Sequence, residues 1–272
     1  MNKVLVLGGS GLLGTAIIKE MDKYEKYEIY TTYYEHLPSI NKELCFKLDL
    51  EDVENINCIL KNIEPKIVIS CLRGDFDKQL ILHTKVAKYL KENNGKLYFF
   101  STTNVFDNDY SKPHYEDDAP NSRTDYGRFK IACEKSIIEI LKENSCILRI
   151  PQVWGKDSPR LTELLNTINN NEAITVFPKL FLNVNSDEMI AKQLSYIIEN
   201  RLIGIFHLAS EDIDNQSSFY KRLIMKLGFD NTLINENLEE EGYFALESKR
   251  MNEFPEYLRV NSKAVIKYLT AK

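Results

Sequence analysis

Cysteine is scarce and scattered in this sequence. Cys45, Cys58, Cys71, Cys133 and Cys146 are odd in number and never stand as C-x-x-C. That excludes a disulfide framework and a cysteine-built zinc site, and points to reduced core residues of a cytoplasmic protein. Histidine is scarcer still: His36, His83, His114 and His207 are too dispersed to form a metal constellation. No block of lysine and arginine stands out and the net charge is −5, so nothing recommends nucleic acid as a partner. No apolar run approaches the length of about 20 residues that a membrane span needs. Internal repeats and low-complexity linkers are missing too. What remains is a chain of 272 residues, 43% hydrophobic, long enough for one large domain or a core with a small lobe.

The first feature present is a strand-turn-helix. Lys3-Val4-Leu5-Val6-Leu7 is a short apolar run that leads straight into Gly8-Gly9-Ser10-Gly11-Leu12-Leu13-Gly14, and then into the helical pattern TAIIKEM. Glycines at 8, 11 and 14 let the backbone turn tightly and approach a pyrophosphate, and the helix N-terminus offers free N–H groups to it. The same stretch also scans as a secretory signal with Asn2-Lys3 as its charged start. Its four glycines and the lack of a clean small-residue cleavage site argue against that reading.

Strand-like runs and helical patterns then alternate. Strands are predicted over 28–34, 66–70, 96–101 and 146–150, and helices over 51–63, 76–93 and the stretch DYGRFKIACEKSIIEIL. This alternation predicts an α/β fold, a Rossmann-like doubly wound parallel sheet. Ligands of such a sheet bind beyond the carboxyl ends of its strands, where the glycine turn and Ser101-Thr102-Thr103 both fall. After Pro151 the pattern loosens, with a helix in LTELLNTINN, an extended segment AITVFPKLFLNV, a clear helix over 186–200 and a strand over 204–210. The expected division is a dinucleotide-binding core over 1–150, to which 181–210 returns, and a small substrate-binding lobe from 151–180 and 211–272.

Tyr126 and Lys130 stand four residues apart on one face of a predicted helix. A free phenol has a pKa of about 10 and exchanges protons poorly at neutral pH, and a nearby ammonium lowers that value. Such a tuned phenol suits proton transfer to a carbonyl or alcohol oxygen. Tyr268 and Lys272 repeat the spacing, so the pair carries weight only through its company.

Taken together, Gly8-x-x-Gly11-x-x-Gly14, Thr102 and the Tyr126/Lys130 pair resemble an extended short-chain dehydrogenase/reductase. Within that superfamily the chain is similar to the dTDP-4-dehydrorhamnose reductase type. Ser101-Thr102-Thr103-Asn104-Val105-Phe106-Asp107 carries the likeness, with Pro113-His114-Tyr115-Glu116-Asp117-Asp118, Leu148-Arg149-Ile150-Pro151, Asp187 and Gly204-Ile205-Phe206-His207-Leu208. The resemblance implies NAD(P)H-dependent reduction of a nucleotide-linked 4-keto-sugar. It makes Tyr126 the proton donor, Lys130 the residue that lowers its pKa and holds the nicotinamide ribose, and Thr102 a second donor to the same oxygen. Gly8, Ser10, Gly11, Leu12, Leu13 and Gly14 would form the pyrophosphate turn, Asp49 and Leu50 would sit by the adenine, and Cys71, Leu72, Arg73 and Phe100 beside the cofactor. Thr103 and Gln152 would face the substrate. No acidic pair follows Thr102 as in sugar-nucleotide dehydratases, and Asn104 stands where the GDP-fucose synthase type has a cysteine, so simple reduction is favoured.

The chain departs from the family at Cys71-Leu72-Arg73, at Gln79 (where a relay asparagine is expected), at Leu182-Asn183 and at Gln152, the last two on the expected substrate side. The second strand ends in neutral Thr31-Thr32-Tyr33-Tyr34, which does not repel a 2′-phosphate, so NADPH is preferred over NADH. A homodimer through the helices at 76–93 and 124–143 is the fold-level expectation. Two other readings stay open, an epimerase or dehydrogenase on the same scaffold and a dinucleotide-binding regulatory subunit without turnover.

Overall fold

Val4, Val6, Leu5 and Leu7 are all fully buried although they point alternately to opposite faces of one strand. Only a central strand of a sheet covered on both sides allows that. The computed structural model, which describes residues 2–271, has this architecture. Its first half runs β1 (Asn2–Leu7), α1 (Leu12–Asp22), β2 (Tyr27–Tyr33), β3 (Cys45–Lys47), α2 (Asn55–Ile63), β4 (Ile67–Ser70), α3 (Phe76–Glu92), β5 (Lys96–Thr102), α4 (Asp125–Leu141) and β6 (Ser145–Ile150). The second half adds β7 (Gln152–Trp154), α5 (Pro159–Asn169), β8 (Ile174–Val176), β9 (Lys179–Leu182), β10 (Val184–Ser186), α6 (Asp187–Glu199) and β11 (Gly204–His207). It closes with β12 (Asp214–Asn215), α7 (Gln216–Lys226), β13 (Ile234–Glu236), β14 (Glu241–Phe244) and α8 (Ser262–Thr270).

Seven strands form the main sheet in the order β11-β6-β5-β4-β1-β2-β3, every neighbouring pair parallel. The strand order reverses between β1 and β4, the switch point where a doubly wound sheet opens its ligand crevice. On one face Val4, Val6, Ile69 and Phe100 pack under α1 and α6. On the other, Leu5, Leu7, Val68 and Phe99 pack under α2, α3 and α4. The parallel sheet and its two helical layers are those expected from the sequence. Strand β3 was not foreseen: it is three residues long, directly after a single 3₁₀ turn over Lys42–Leu44, and too short to show a period. The expected helix over 51–63 opens as a 3₁₀ turn at Leu50–Asp52 and becomes α-helical only from Asn55.

A further apolar cluster lies outside the sheet. Trp154, Leu161, Val176, Leu182, Phe219 and Val265 bring together β7, α5, β8, β9, α7 and α8. Ser158 caps α5 by accepting the Leu161 N–H at 3.2 Å, and Pro159 starts the helix. Phe254 and Leu258, far down the chain, pack back into the cluster under α1 and α6. Among the described residues no helix is long and apolar enough to cross a membrane.

Candidate active site

A cleft of about 1400 Å³ opens over the carboxyl ends of the central strands, between the sheet and the outer cluster. The glycine turn forms its floor. Gly8 adopts a φ of +81°, and its N–H is held by Thr32 Oγ1 at 3.0 Å, so the end of β2 braces the turn. A Cβ on Gly14 would stand 2.3 Å from the Gly8 carbonyl oxygen, which is why this position takes only glycine. Gly11 caps α1 without any side-chain acceptor, leaving the first-turn N–H groups free to meet an anion. A tight turn, a bare helix N-terminus and an open cleft above them fit a dinucleotide pyrophosphate. Gly14→Ala is expected to weaken dinucleotide binding by about 10- to 100-fold, because the turn must shift to admit the methyl. Fluorescence titration with NADPH and NADH checks this.

Of the residues singled out from the sequence, Gly8, Ser10, Gly11, Leu12, Leu13, Asp49, Leu50, Cys71, Leu72, Arg73, Thr102, Thr103, Tyr126 and Gln152 line the cleft. Gly14, Phe100 and Lys130 support it from behind. Asp49 also caps the 3₁₀ turn by accepting the Glu51 N–H at 2.9 Å. Tyr126 lies in the first turn of α4, whose cap is Thr124, and its ring packs against Phe76 at 5.7 Å and Phe129 at 6.4 Å. Gly127 allows the first turn to press on the 103–106 segment, since a Cβ there would meet the Asn104 carbonyl oxygen at 2.4 Å.

Lys130 differs from the expectation. Its ammonium is buried and donates to the Phe100 carbonyl at 2.8 Å, with the Phe99 ring 4.6 Å away. Burial lowers its pKa from 10.5 to about 8. Tyr126 is not tuned downward by it. Burial raises the phenol above its ordinary value, and what opposes that rise is a hydrogen bond from Thr102 and the charge of Arg73. The helical spacing places both residues on one face, but a backbone carbonyl of β5 captures the lysine.

A stability signature follows from Lys130. Below pH 8 it is charged in both the folded and the unfolded chain, and its burial cost is fully present. Between about pH 8 and 10.5 the folded chain releases the proton first, so stability rises with pH on this account, by on the order of 3 kcal/mol. Lys130→Met is expected to lack that rise, as urea unfolding on either side of the window would show.

Residues 79–256 of the chain match a known family model, the RmlD substrate binding domain. The chain belongs to the RmlD substrate binding domain family. This agrees with the resemblance to dTDP-4-dehydrorhamnose reductases drawn from the sequence. The chain is 28% identical over 164 residues to methionine adenosyltransferase 2 subunit beta of Danio rerio, an alignment covering 57% of this chain and 49% of that one. It therefore spans about half the length of that relative. It is 21% identical over 251 residues to Agl14, a probable low-salt glycan biosynthesis reductase of Haloferax volcanii, covering 86% of this chain and 83% of that one. The fold is also that of the dTDP-4-dehydrorhamnose reductase of Bacillus anthracis, solved in complex with NADP. The TM-score is 0.82 at 20% identity, over 99% of this chain and 98% of that one.

Three of the departures from the family take on a definite place. Leu182 packs into the outer cluster and Asn183 is buried beside Leu246, so neither lines the cleft. Leu182 is fully buried, and Asn183 holds Leu246 from both sides of its amide, accepting the Leu246 N–H at 3.1 Å and donating to its carbonyl. Gln152 does line the cleft, and its Oε1 is buried without a hydrogen-bond partner. Gln79 is buried behind the cleft, donating to the Gly74 carbonyl at 2.8 Å. Sequence reasoning passed over Arg160, Phe244 and Tyr268, which complete the far wall. Tyr268 donates to Asp187 Oδ1 at 2.9 Å, and the two meet across 81 residues of chain. Its four-residue spacing to Lys272 was the one available hint, and Lys272 lies outside the described residues.

Proposed function

We propose that this protein is an NAD(P)H-dependent reductase of a nucleotide-linked keto-sugar of the dTDP-4-dehydrorhamnose reductase type. The observation that carries the reading is the Tyr126 phenol beside Thr102 in the same cleft as the glycine turn. The glycine turn, Asp49, Leu50 and the Cys71-Leu72-Arg73 segment would hold the dinucleotide. When bound, its reduced nicotinamide supplies the hydride. Tyr126 gives its proton to the carbonyl oxygen as that oxygen becomes an alcohol. Lys130, held by Phe100, keeps a positive charge behind the phenol below about pH 8. Burial of the phenol favours its protonated form at neutral pH, the form a reductase needs at the start of turnover.

The neutral end of β2, where Thr32, Tyr33 and Tyr34 line the cleft, supports NADPH as the preferred form. The outer cluster, with Gln152, Arg160, Phe244 and Tyr268 on its inner wall, would receive the sugar nucleotide. The reading is tested by loss of reduced-nicotinamide absorbance when NADPH or NADH is mixed with a panel of nucleotide-linked 4-keto-sugars. A second reading, a dinucleotide-binding subunit without turnover, draws on the likeness to methionine adenosyltransferase 2 subunit beta. Tight NADPH binding with no oxidation by any sugar of the panel would favour it.

A further inference from the structure

Arg73 is one of the positions where the chain departs from its family, and its surroundings give the departure a use. The segment that carries it is pinned twice. Cys71 N–H donates to the Leu7 carbonyl at 2.9 Å, and Gln79 Nε2 donates to the Gly74 carbonyl at 2.8 Å. Between those anchors it lies against the glycine turn, for a Cβ on Gly8 would stand 3.1 Å from the Cys71 carbonyl oxygen and 3.4 Å from Leu72 Cα. A Cβ on Gly74 would come within 2.8 Å of Leu50 Cδ1. A short loop fixed at both ends therefore brings Arg73 to the part of the cleft floor where the start of α1 leaves its N–H groups free.

The guanidinium arrives there without a counter-charge. Arg73 is exposed, lines the cleft and makes no ion pair or hydrogen bond among the described residues. The carboxylates that share this end of the cleft are engaged elsewhere. Asp49 accepts the Glu51 N–H at 2.9 Å, Asp75 accepts the Lys78 N–H at 3.0 Å, and Glu51 pairs with the Lys78 ammonium. Burial raises the Tyr126 pKa and lowers that of Lys130, and the charge of Arg73 pushes both downward, so the guanidinium is felt as far as the phenol. An unpaired, planar fork of donors beside a bare helix N-terminus suits the oxygens of a phosphate.

We propose that Arg73 is this chain's ionic contact for the diphosphate of the dinucleotide, completing the anion site that the glycine turn and the start of α1 begin. This deepens the reductase reading and rests on it.

The test is calorimetric titration of the whole chain with NADPH and with ADP-ribose, which carries the diphosphate but no nicotinamide. Arg73→Gln keeps a long polar side chain and loses the charge. It is expected to weaken both ligands by about 10- to 100-fold at low salt, the worth of a charge-assisted hydrogen bond. Arg73→Lys restores the charge without the fork and is expected to lose less than Arg73→Gln. Added salt should weaken ADP-ribose binding more steeply in the native protein than in Arg73→Gln, which has one charge fewer to screen. A loop merely loosened by the substitution would lose affinity equally at every salt concentration, and that result overturns the proposal.

Equal affinity of Arg73→Gln and the native protein for ADP-ribose also overturns it. If that variant instead shows a raised KM for the sugar nucleotide, the guanidinium serves the substrate. Either result leaves the reductase reading standing. A native protein that binds ADP-ribose through Arg73 but reduces no 4-keto-sugar keeps this assignment and removes the reductase reading. One that binds neither ligand overturns both.

Discussion

Tyr126→Phe is expected to lower kcat about 10³-fold while leaving the fold and dinucleotide affinity as they are. The phenylalanine ring keeps the contacts with Phe76 and Phe129 that hold the side chain in place. The change deletes a single O–H. That hydroxyl is within reach of Thr102, whose Oγ1 also accepts the Asn104 N–H, and the residue is 38% exposed, so its removal strands no buried partner. The effect should therefore fall on chemistry and not on stability. Turnover of a nucleotide-linked 4-keto-sugar, measured beside NADPH binding and thermal unfolding, checks all three. A variant that keeps full kcat would take the proton donor away from Tyr126. One that loses NADPH affinity instead would make Tyr126 a binding residue.

Arg149→Met is expected to destabilise the fold by about 3–5 kcal/mol, the cost of leaving a buried charge unpaired. Arg149 is 1% exposed and Glu134 3%, and the guanidinium meets the carboxylate through Nε at 3.1 Å and Nη2 at 2.8 Å. Its remaining nitrogen, Nη1, reaches the Glu116 carbonyl at 3.3 Å and His207 Nε2 at 3.3 Å. Burial lowers the His207 pKa to about 4, so the imidazole is neutral. Its Nδ1–H donates to the Glu247 carbonyl at 2.7 Å, which leaves Nε2 as an acceptor for the arginine. Adding Glu134→Leu to Arg149→Met is expected to recover part of the loss, since no lone charge then remains. Urea unfolding midpoints of the two variants decide this. A double variant less stable than Arg149→Met would mean that the pair itself, and not the stranded carboxylate, sets the cost.

This network explains why the resemblance extends through stretches that hold no chemistry. Glu116 of the Pro113–Asp118 segment receives the backbone N–H groups of His207 at 3.3 Å and Lys249 at 3.0 Å. It thereby ties the end of β11 and the 248–250 turn to the core beside the cleft. Asp107, which closes the Ser101–Asp107 stretch, takes the Ser122 hydroxyl and the Arg123 N–H, both at 2.8 Å, and so sets the entry to α4 and with it the place of Tyr126. Both carboxylates are positioning parts of the site.

The legible parts of the molecule were the local ones. A strand buried on both faces, a glycine turn before a helix, and alternating periods of two and 3.6 are written in neighbouring residues, and they gave the sheet order's class and the cleft floor. The short edge strand β3 left no period to read. Contacts that close over long distances were not legible. The i,i+4 rule brought Tyr126 and Lys130 to one face, yet the Phe100 carbonyl on β5 decided where the ammonium goes. Asn183 carries the signature of a substrate-side change, yet Leu246, 63 residues later, holds it buried away from the cleft. Arg160 and Tyr268 reach the cleft only because α5 and α8 fold against Trp154 and Val184. On the proposed reading that wall receives the sugar nucleotide, and it is where sequence carries the least local information.

The central claim is that reduced nicotinamide and substrate meet at Tyr126 and that the substrate leaves reduced. The most direct measurement is a single turnover with NADPH deuterated at the transferable position, followed by mass spectrometry of the sugar nucleotide. The account predicts a product carrying one deuterium at the former carbonyl carbon, with one NADP released for each product formed. An unlabelled sugar, whether altered with the cofactor unspent or not altered at all, would contradict it and leave an epimerase or a dinucleotide-binding subunit in its place.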